Sequence, residues 1–300
     1  MTEESTEKPA GKFGEFHDKY YKHLLLIPLI ILILSFVYMF YFYSNTGDFI
    51  NKDFSLTGGT SVTILGFGNT DDLKNTLSGK LDEISTREIY DLTTRQQTAL
   101  IVQTKTSKDE TKKILEDYLG YALDNENSSF EFVGSSLGEN FYKQLVMAVL
   151  FAFVFMGIVV FIIFRTFIPS MAVIISAFAD IFMTLVLIDV FGIKMSSAGI
   201  VAFLMLVGYS VDTDILLTNR VLKVHEGSIN HKIFGAFKTG ITMTMTSLLA
   251  VLAALIVTSS FSVVLTQIFT VLVIGLGFDV MNTWITNVSL IKWYLKKNEN

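Results

Sequence analysis

LVMAVLFAFVFMGIVVFIIFRTFIPSMAVIISAFADIFMTLVLIDV, residues 145–190, decides the architecture. A helix crossing the hydrocarbon of a bilayer needs about 20 apolar residues. This stretch holds two such runs, 145–164 and 170–190, with Arg165 between them. A helix satisfies its own backbone N–H and C=O groups, so two runs of that length read as paired membrane spans.

Working outward, comparable runs occupy Leu24–Phe42, 197–217, 240–258 and 264–290, giving six spans. The segment after the first, Tyr41-Phe42-Tyr43-Ser44-Asn45, lacks the small-x-small pattern of a cleaved signal peptide, so Leu24–Phe42 reads as a retained anchor. Charged residues make up 17% of the chain, against about 25% in soluble proteins, and most fall between residues 45 and 144. The net charge of −5 argues against a nucleic-acid partner. Without cysteine, no disulfide framework or thiolate metal site is available.

The connections orient the spans. Lys8, Lys12, Lys19 and Lys22 precede the first; Arg165 follows the second; Arg220, Lys223, Lys232 and Lys238 lie between the fourth and fifth. Lys292, Lys296 and Lys297 follow the sixth, whereas the alternate connections carry only Lys194 and no charge. Positive loops stay inside, so both termini are expected in the cytoplasm of a multi-pass cell-membrane protein. The expected division is a cytoplasmic segment 1–22, a first transmembrane helix 23–43, an extracytoplasmic domain 44–140, transmembrane helices two to six over 141–292, and a cytoplasmic tail 293–300. Tyr38, Tyr41, Tyr43, Trp293 and Tyr294 fall where interfacial aromatics are expected among membrane lipids.

The external segment alternates like a strand over Thr60–Leu65, is helical over Asp71–Lys80, strand-like over Arg87–Leu92 and Ala99–Thr104, helical over Ser107–Leu119 and strand-like over Phe130–Val133. Ser107 with Glu110 makes a capping-box pattern. The order βαββαβ is the ferredoxin-like arrangement. The expected fold class is therefore an α-helical bundle of six transmembrane helices with an inserted α+β ferredoxin-like external domain.

Asp180, Asp212, Asp214 and Asp279 lie inside apolar spans; Asp189, at an external helix end, is expected to be wet. A charge at the centre of a span costs at least about 2.5–3.5 kcal/mol, so such groups face a bundle interior or a water path. Their plainer use is to hold helices together by hydrogen bonds of about 1 kcal/mol. Ser176, Asp180 and Thr184 share one face, and Asp279, Asn282, Thr283, Thr286 and Asn287 share another. Thr239, Thr242 and Thr246 add a third polar stripe in the fifth span, together suggesting a hydrated seam or a face toward a partner subunit. The densest signal is Gly208-Tyr-Ser-Val-Asp-Thr-Asp-Ile-Leu-Leu-Thr-Asn-Arg220. Asp212 and Asp214 are two apart and point about 160° from each other. Gly208 would allow close helix approach, and Arg220 is either an interfacial anchor or a counter-ion to a carboxylate. Tyr209, Thr213, Asn219, Asn282 and Thr283 are the supporting polar candidates.

His17, His23, His225 and His231 are scattered without ligand spacing, so no metal site is expected, and no cofactor motif occurs. Gly58-Gly59 lacks the Lys-Ser/Thr of a phosphate loop, and there is no G-x-S-x-G, H-E-x-x-H or Walker motif. Nothing reads as an enzyme.

Several segments resemble the SecF family of the SecD–SecF protein-export system, in its archaeal form. Asp53-Phe-Ser-Leu-Thr-Gly-Gly-Thr60 resembles the family's D-F-x-G-G-T lead into the external domain, and Phe132-Val-Gly-Ser-Ser-Leu-Gly138 is similar to its V-G-P-x-x-G exit. Ser176-Ala-Phe-Ala-Asp180 matches A-x-x-H-D at the acid, with Ala179 at the histidine. Gly208-Tyr-Ser-Val resembles G-Y-S-x-N-D-T; the family's acid falls on Thr213, flanked by Asp212 and Asp214, and Arg220 falls on its arginine. The resemblance implies half of a resistance-nodulation-division transporter, with SecD supplying the other six helices. It implies an accessory that promotes export of secreted polypeptides through a SecYE-type channel using the proton or sodium gradient. Its ion-coupling candidates would be Asp212, Asp214, Asp180, Asp279 and Arg220. Two other readings are open at this stage. One is a small-molecule or lipid exporter of the same superfamily; the other is a non-transporting scaffold for SecD.

Overall fold

The computed structural model describes residues 20–66, 70–91, 93–223 and 227–298. Lys8, Lys12, Lys19, His17, Leu92 and His225 lie outside the described residues. Among the described residues, six helices are long and apolar enough to cross a membrane. They are α1 (Leu26–Thr46), α5 (Ser135–Phe164), α6 (Phe167–Val190), α7 (Ser197–Lys223), α8 (Ile229–Thr258), and a sixth made of α9 (Val263–Met281), a π-helical segment Asn282–Asn287 and α10 (Val288–Asn298). Residues 54–133 hold α2 (Phe54–Thr57), β1 (Gly59–Leu65), α3 (Thr70–Leu77), β2 (Ser85–Tyr90), β3 (Gln97–Thr104), α4 (Lys108–Leu119) and β4 (Ser128–Val133).

Helix ends follow local chemistry. Gly47 closes α1 at φ 74°, a left-handed conformation that glycine adopts without strain. Arg165 ends α5 at φ 54°, its N–H donating to Phe161 O at 2.8 Å. Pro169 falls in the first turn of α6, where a missing N–H is tolerated. α5 begins at Ser135 and α8 at Ile229, about ten residues before their apolar windows. Hydropathy marks the part of a helix that meets lipid, while its backbone ladder continues into water.

The inserted domain is one antiparallel sheet of order β2-β3-β1-β4. Val62 faces Val102 and Ile64 faces Leu100 across β1 and β3, so all four share a sheet face. They are buried with Leu73 and Leu77 of α3 and Leu115 of α4. Gly58 and Gly59 are required where they stand: Gly58 (φ 85°) presses on the Ser135 backbone, and Gly59 (φ 138°) on the Thr104 carbonyl. The expected capping box is absent. Ser107 occupies the N-cap position of α4 but its side chain caps nothing, leaving Asp109 and Glu110 to complement the helix dipole.

In the bundle, more than half of the apolar windows of α6 and α7 are buried, against little of α1, α5 and α8. α7 therefore sits at the centre, packed on α5, α6, α8 and α9. Gly240 of α8 leaves room for the Trp284 ring, which also meets Phe237 edge-on at 5.1 Å between centroids.

Four expectations change. Gly208 makes no close approach, since an added Cβ would meet nothing within 4 Å. Thr239, Thr242 and Thr246 lie on the exposed side of α8 and donate to carbonyls of their own helix, because Ala236, Gly240 and Thr244 take the inward face. Asp189 is buried, covered by the segment that follows α1. Lys292 is also buried, within α10.

Candidate functional site

The two inward polar faces meet at α7. Asp180 on α6 accepts from Ser210 Oγ of α7 at 2.5 Å through Oδ2, and from Asn282 Nδ2 at 2.7 Å through Oδ1. Asp214 on α7 accepts from Ser176 Oγ of α6 at 3.2 Å and from Asn287 Nδ2 at 2.7 Å, both through Oδ1. Asp279 on α9 accepts from Thr213 Oγ1 of α7 at 2.9 Å and from Thr283 Oγ1 at 3.1 Å. Three carboxylates from three spans thus form one layer with hydroxyl and amide donors between them, and they lie close enough to interact electrostatically. All three are at most 1% exposed.

The side-chain directions follow from helix geometry. Ser210, Thr213 and Asp214 are spaced three and four apart, so they share the inner face of α7. Ser176, Asp180 and Thr184 do the same on α6. The sixth helix needs more. Asn282-Thr-Trp-Ile-Thr-Asn287 is a run of six weak helix formers, and it widens into a π segment, a feature common at functional sites. That segment brings Asn282 to Asp180 and Asn287 to Asp214, while Thr286 Oγ1 donates to Asn282 Oδ1 at 3.1 Å and orients the amide.

The donors are shared. Thr213 has one hydroxyl proton, yet its Oγ1 reaches the Ser210 carbonyl (2.9 Å), both Asp279 oxygens (2.9 and 3.3 Å) and Thr283 Oγ1 (3.4 Å). It can donate to Asp279 when that group is ionised. It can also turn to the carbonyl and accept from Asp279 when that group is protonated. The alternative partners within reach of Thr213 lie on the helices as they stand, so the hydroxyl can change partner without any helix having to break. Asp214 Oδ2, Asn287 Oδ1 and Thr218 Oγ1 are buried with no hydrogen-bond partner among the described residues.

Other candidates lie elsewhere. Asp212 is exposed on the far side of α7, as its spacing from Asp214 requires, and Gly208 and Tyr209 share that outer side, Tyr209 being 45% exposed. Asn219 is half-buried. The Arg220 guanidinium lies against Gly235 of α8, and no ion pair among the described residues involves the three acids. Arg220 therefore is not their counter-ion in this arrangement. Sequence reading passed over Gln267 and Ser196 at the domain end of the bundle, which bond to each other. An amide near the start of an apolar helix was the available signal. No group of three or more His, Asp or Glu side chains suited to a metal ion occurs among the described residues.

The family model described as "Protein export membrane protein SecD/SecF, C-terminal" matches residues 112–297. The protein-export membrane protein SecF of Methanolacinia petrolearia is 39% identical over 289 residues, covering 96% of this chain and 99% of that one. SecF of Methanocaldococcus jannaschii is 38% identical over 284 residues, covering 92% and 96%. Among solved structures, SecDF of Thermus thermophilus, described as a translocon-associated membrane protein, superposes with a TM-score of 0.74 at 20% identity. That match covers 96% of this chain and 39% of the SecDF chain, so this chain spans about two fifths of the solved protein. The fold, the family model and the near full-length relatives agree: the chain belongs to the SecF family of protein-export membrane proteins.

Proposed function

We propose that this chain is an accessory subunit of the Sec machinery that promotes polypeptide export by drawing on a transmembrane ion gradient, in complex with SecD. The observation that carries the reading is the layer of Asp180, Asp214 and Asp279, three buried carboxylates from separate spans joined by shared hydroxyl and amide donors. Carboxylates in a membrane are expensive and mark ion and proton routes. One charge crossing 100 mV releases about 2.3 kcal/mol, enough to bias a two-state bundle.

The outer side of α7 supports a partner half. Val201, Met205 and Tyr209 are all at least 40% exposed there, with Asp212 on the same side. Asp212 stands about 16 Å from the end of the helix at 1.5 Å per residue. Lipid would leave such a carboxylate unpartnered, so a SecD helix offering donors or a cation is the fitting cover. The strand order and the βαββαβ succession support a ferredoxin-like inserted domain. The six apolar helices and the SecF relatives support a cell-membrane location, and the lysine and arginine distribution supports both termini being cytoplasmic. The same distribution supports the division 1–22, 23–43, 44–140, 141–292 and 293–300. A SecYE-type channel and secreted polypeptides complete the proposed partners.

The test is export of a secretory polypeptide by vesicles carrying the SecD complex with Asp180→Asn, Asp214→Asn or Asp279→Asn. Each variant is expected to lose most of the gradient-dependent increment while the residual rate without a gradient is kept. Undiminished gradient stimulation in all three would remove the basis for the reading.

A further inference from the structure

The chain joining α1 to the inserted domain is stitched to the bundle. Met195 N–H donates to Asn51 O at 2.5 Å, and Asp53 N–H donates to Met195 O at 3.0 Å, so Lys52 and Met195 form a parallel bridge. Asp189, near the end of α6, accepts the Asn51 N–H at 3.1 Å through Oδ1. Ser197 N–H, at the start of α7, donates to Ser55 Oγ at 3.0 Å, and Ser55 donates its hydroxyl to Asp53 Oδ1 at 2.6 Å. From α9, Gln267 Nε2 donates to Lys194 O while its Oε1 accepts the Ser196 N–H at 3.1 Å and the Ser196 hydroxyl. Ile50, Leu56 and Met195 share one apolar cluster with Ile200, Phe203 and Leu206 of α7.

Asp189 is the informative residue. It is 4% exposed, and its second oxygen has no hydrogen-bond partner among the described residues. A carboxylate buried to hold one backbone N–H costs desolvation that an exposed helix end would avoid. It stands nine residues from Asp180 on the same helix, about 13 Å along the axis. Ser197 begins the helix that carries Ser210, Thr213 and Asp214. Immediately after the stitched segment, α2 packs on the start of α5, where a Cβ on Gly138 would collide with the Gly58 backbone N at 2.8 Å. A shift of α6 or α7 at the acid layer therefore reaches the root of the inserted domain through a few directional bonds.

We propose that residues 50–55 and 194–197, clamped by Asp189 and Gln267, are a mechanical linkage that sets the position of the inserted domain from the packing of α6 and α7. The inference rests on reading the acid layer as the coupling site, and Asp189 acts in it as a positioning residue.

The natural chain has no cysteine, so Asp117→Cys in α4 and Ser259→Cys beyond α8, both exposed positions, give a unique spin-label pair. Distances are measured by pulsed electron resonance on the full chain with its SecD partner in lipid vesicles, with and without Asp214→Asn. With the linkage intact, Asp214→Asn is expected to displace the distance maximum. Asp189→Ala or Gln267→Ala is expected to abolish that displacement and to broaden the distribution at least twofold. Asp189→Asn keeps an oxygen acceptor for the Asn51 N–H and is expected to behave as the parent. If Asp189→Ala does not assemble, Ser55→Ala, which removes the acceptor for Ser197 N–H together with the hydroxyl donor to Asp53 Oδ1, is expected to give the same loss. A displacement that survives these alanine variants, or no displacement in the parent, overturns the linkage. Intact coupling with export indifferent to the gradient would overturn the proposed function and leave the linkage standing.

Discussion

Replacing Asn282 with alanine separates a polar stripe that is structural in effect from one that only looks so in the sequence. Asn282 Nδ2 donates to Asp180 Oδ1 at 2.7 Å, and its Oδ1 accepts Thr286 Oγ1 at 3.1 Å. The side chain is fully buried. Hydrogen bonds between membrane helices contribute about 0.6 kcal/mol on average and up to about 1.7. Losing both should therefore cost about 1–3 kcal/mol, or roughly 5- to 150-fold in the unfolding equilibrium at about 1.4 kcal/mol per tenfold. Thr246→Ala is the control. Thr246 Oγ1 bonds only to carbonyls of its own helix, Thr242 O at 2.9 Å and Met243 O at 2.8 Å, and faces outward. Its loss should fall within about 0.5 kcal/mol of zero. Both variants are compared by reversible unfolding in bicelles. Equal stabilities would refute the placement of Asn282 in the acid layer and the outward orientation of α8.

Three further outcomes follow from the geometry. Asp212→Leu should leave the stability of the isolated chain unchanged within about 0.5 kcal/mol, as an exposed position does, yet reduce co-purification with SecD; undiminished complex would place the partner on another face. Gly59→Ala forces a Cβ onto the Thr104 carbonyl at φ 138° and should destabilise the inserted domain by about 1–3 kcal/mol, read as faster hydrogen exchange in β1 and β3 of the full chain; protection as in the parent would contradict the close approach. Asp53, at the N-cap of α2, has its carboxyl pushed above the usual range, burial outweighing the Ser55 hydrogen bonds. A raised folded pKa means the ionised form costs stability above that pKa, and the cost disappears as pH falls through it. Asp53→Asn should therefore be at least as stable as the parent at neutral pH, with the advantage shrinking toward acid; an advantage that grows on acidification would refute the sign.

Several features were legible in the residues. Six apolar runs imposed six helices because lipid leaves a backbone no other partner, and the strand and helix periods of the inserted domain appear in the observed order. The three- and four-residue spacings placed Ser176, Asp180 and Thr184 on one face, since an α-helix turns once in 3.6 residues whatever its sequence; the same spacings grouped Asp279 to Asn287, but the π segment that presents Asn282 and Asn287 to the other acids departs from that period. The two-residue spacing of Asp212 and Asp214 already meant that one would face inward and the other out. It could not say which.

That choice belongs to the tertiary structure. α7 turns Asp214 inward because Ser210, Thr213 and Asp214 meet complementary faces on α6 and α9, whereas α8 turns Thr239, Thr242 and Thr246 out because Ala236, Gly240 and Thr244 fit the inward contact. Nothing local in a run of threonines records which side a neighbour will take. Asp189 shows the same limit: hydropathy set it at a helix end and so in water, and only the return of residues 50–55 across that end buried it. Periodicity along one helix determined which residues travel together on a face; the packing of helices distant in sequence decided which faces meet, and so where the carboxylates came to lie.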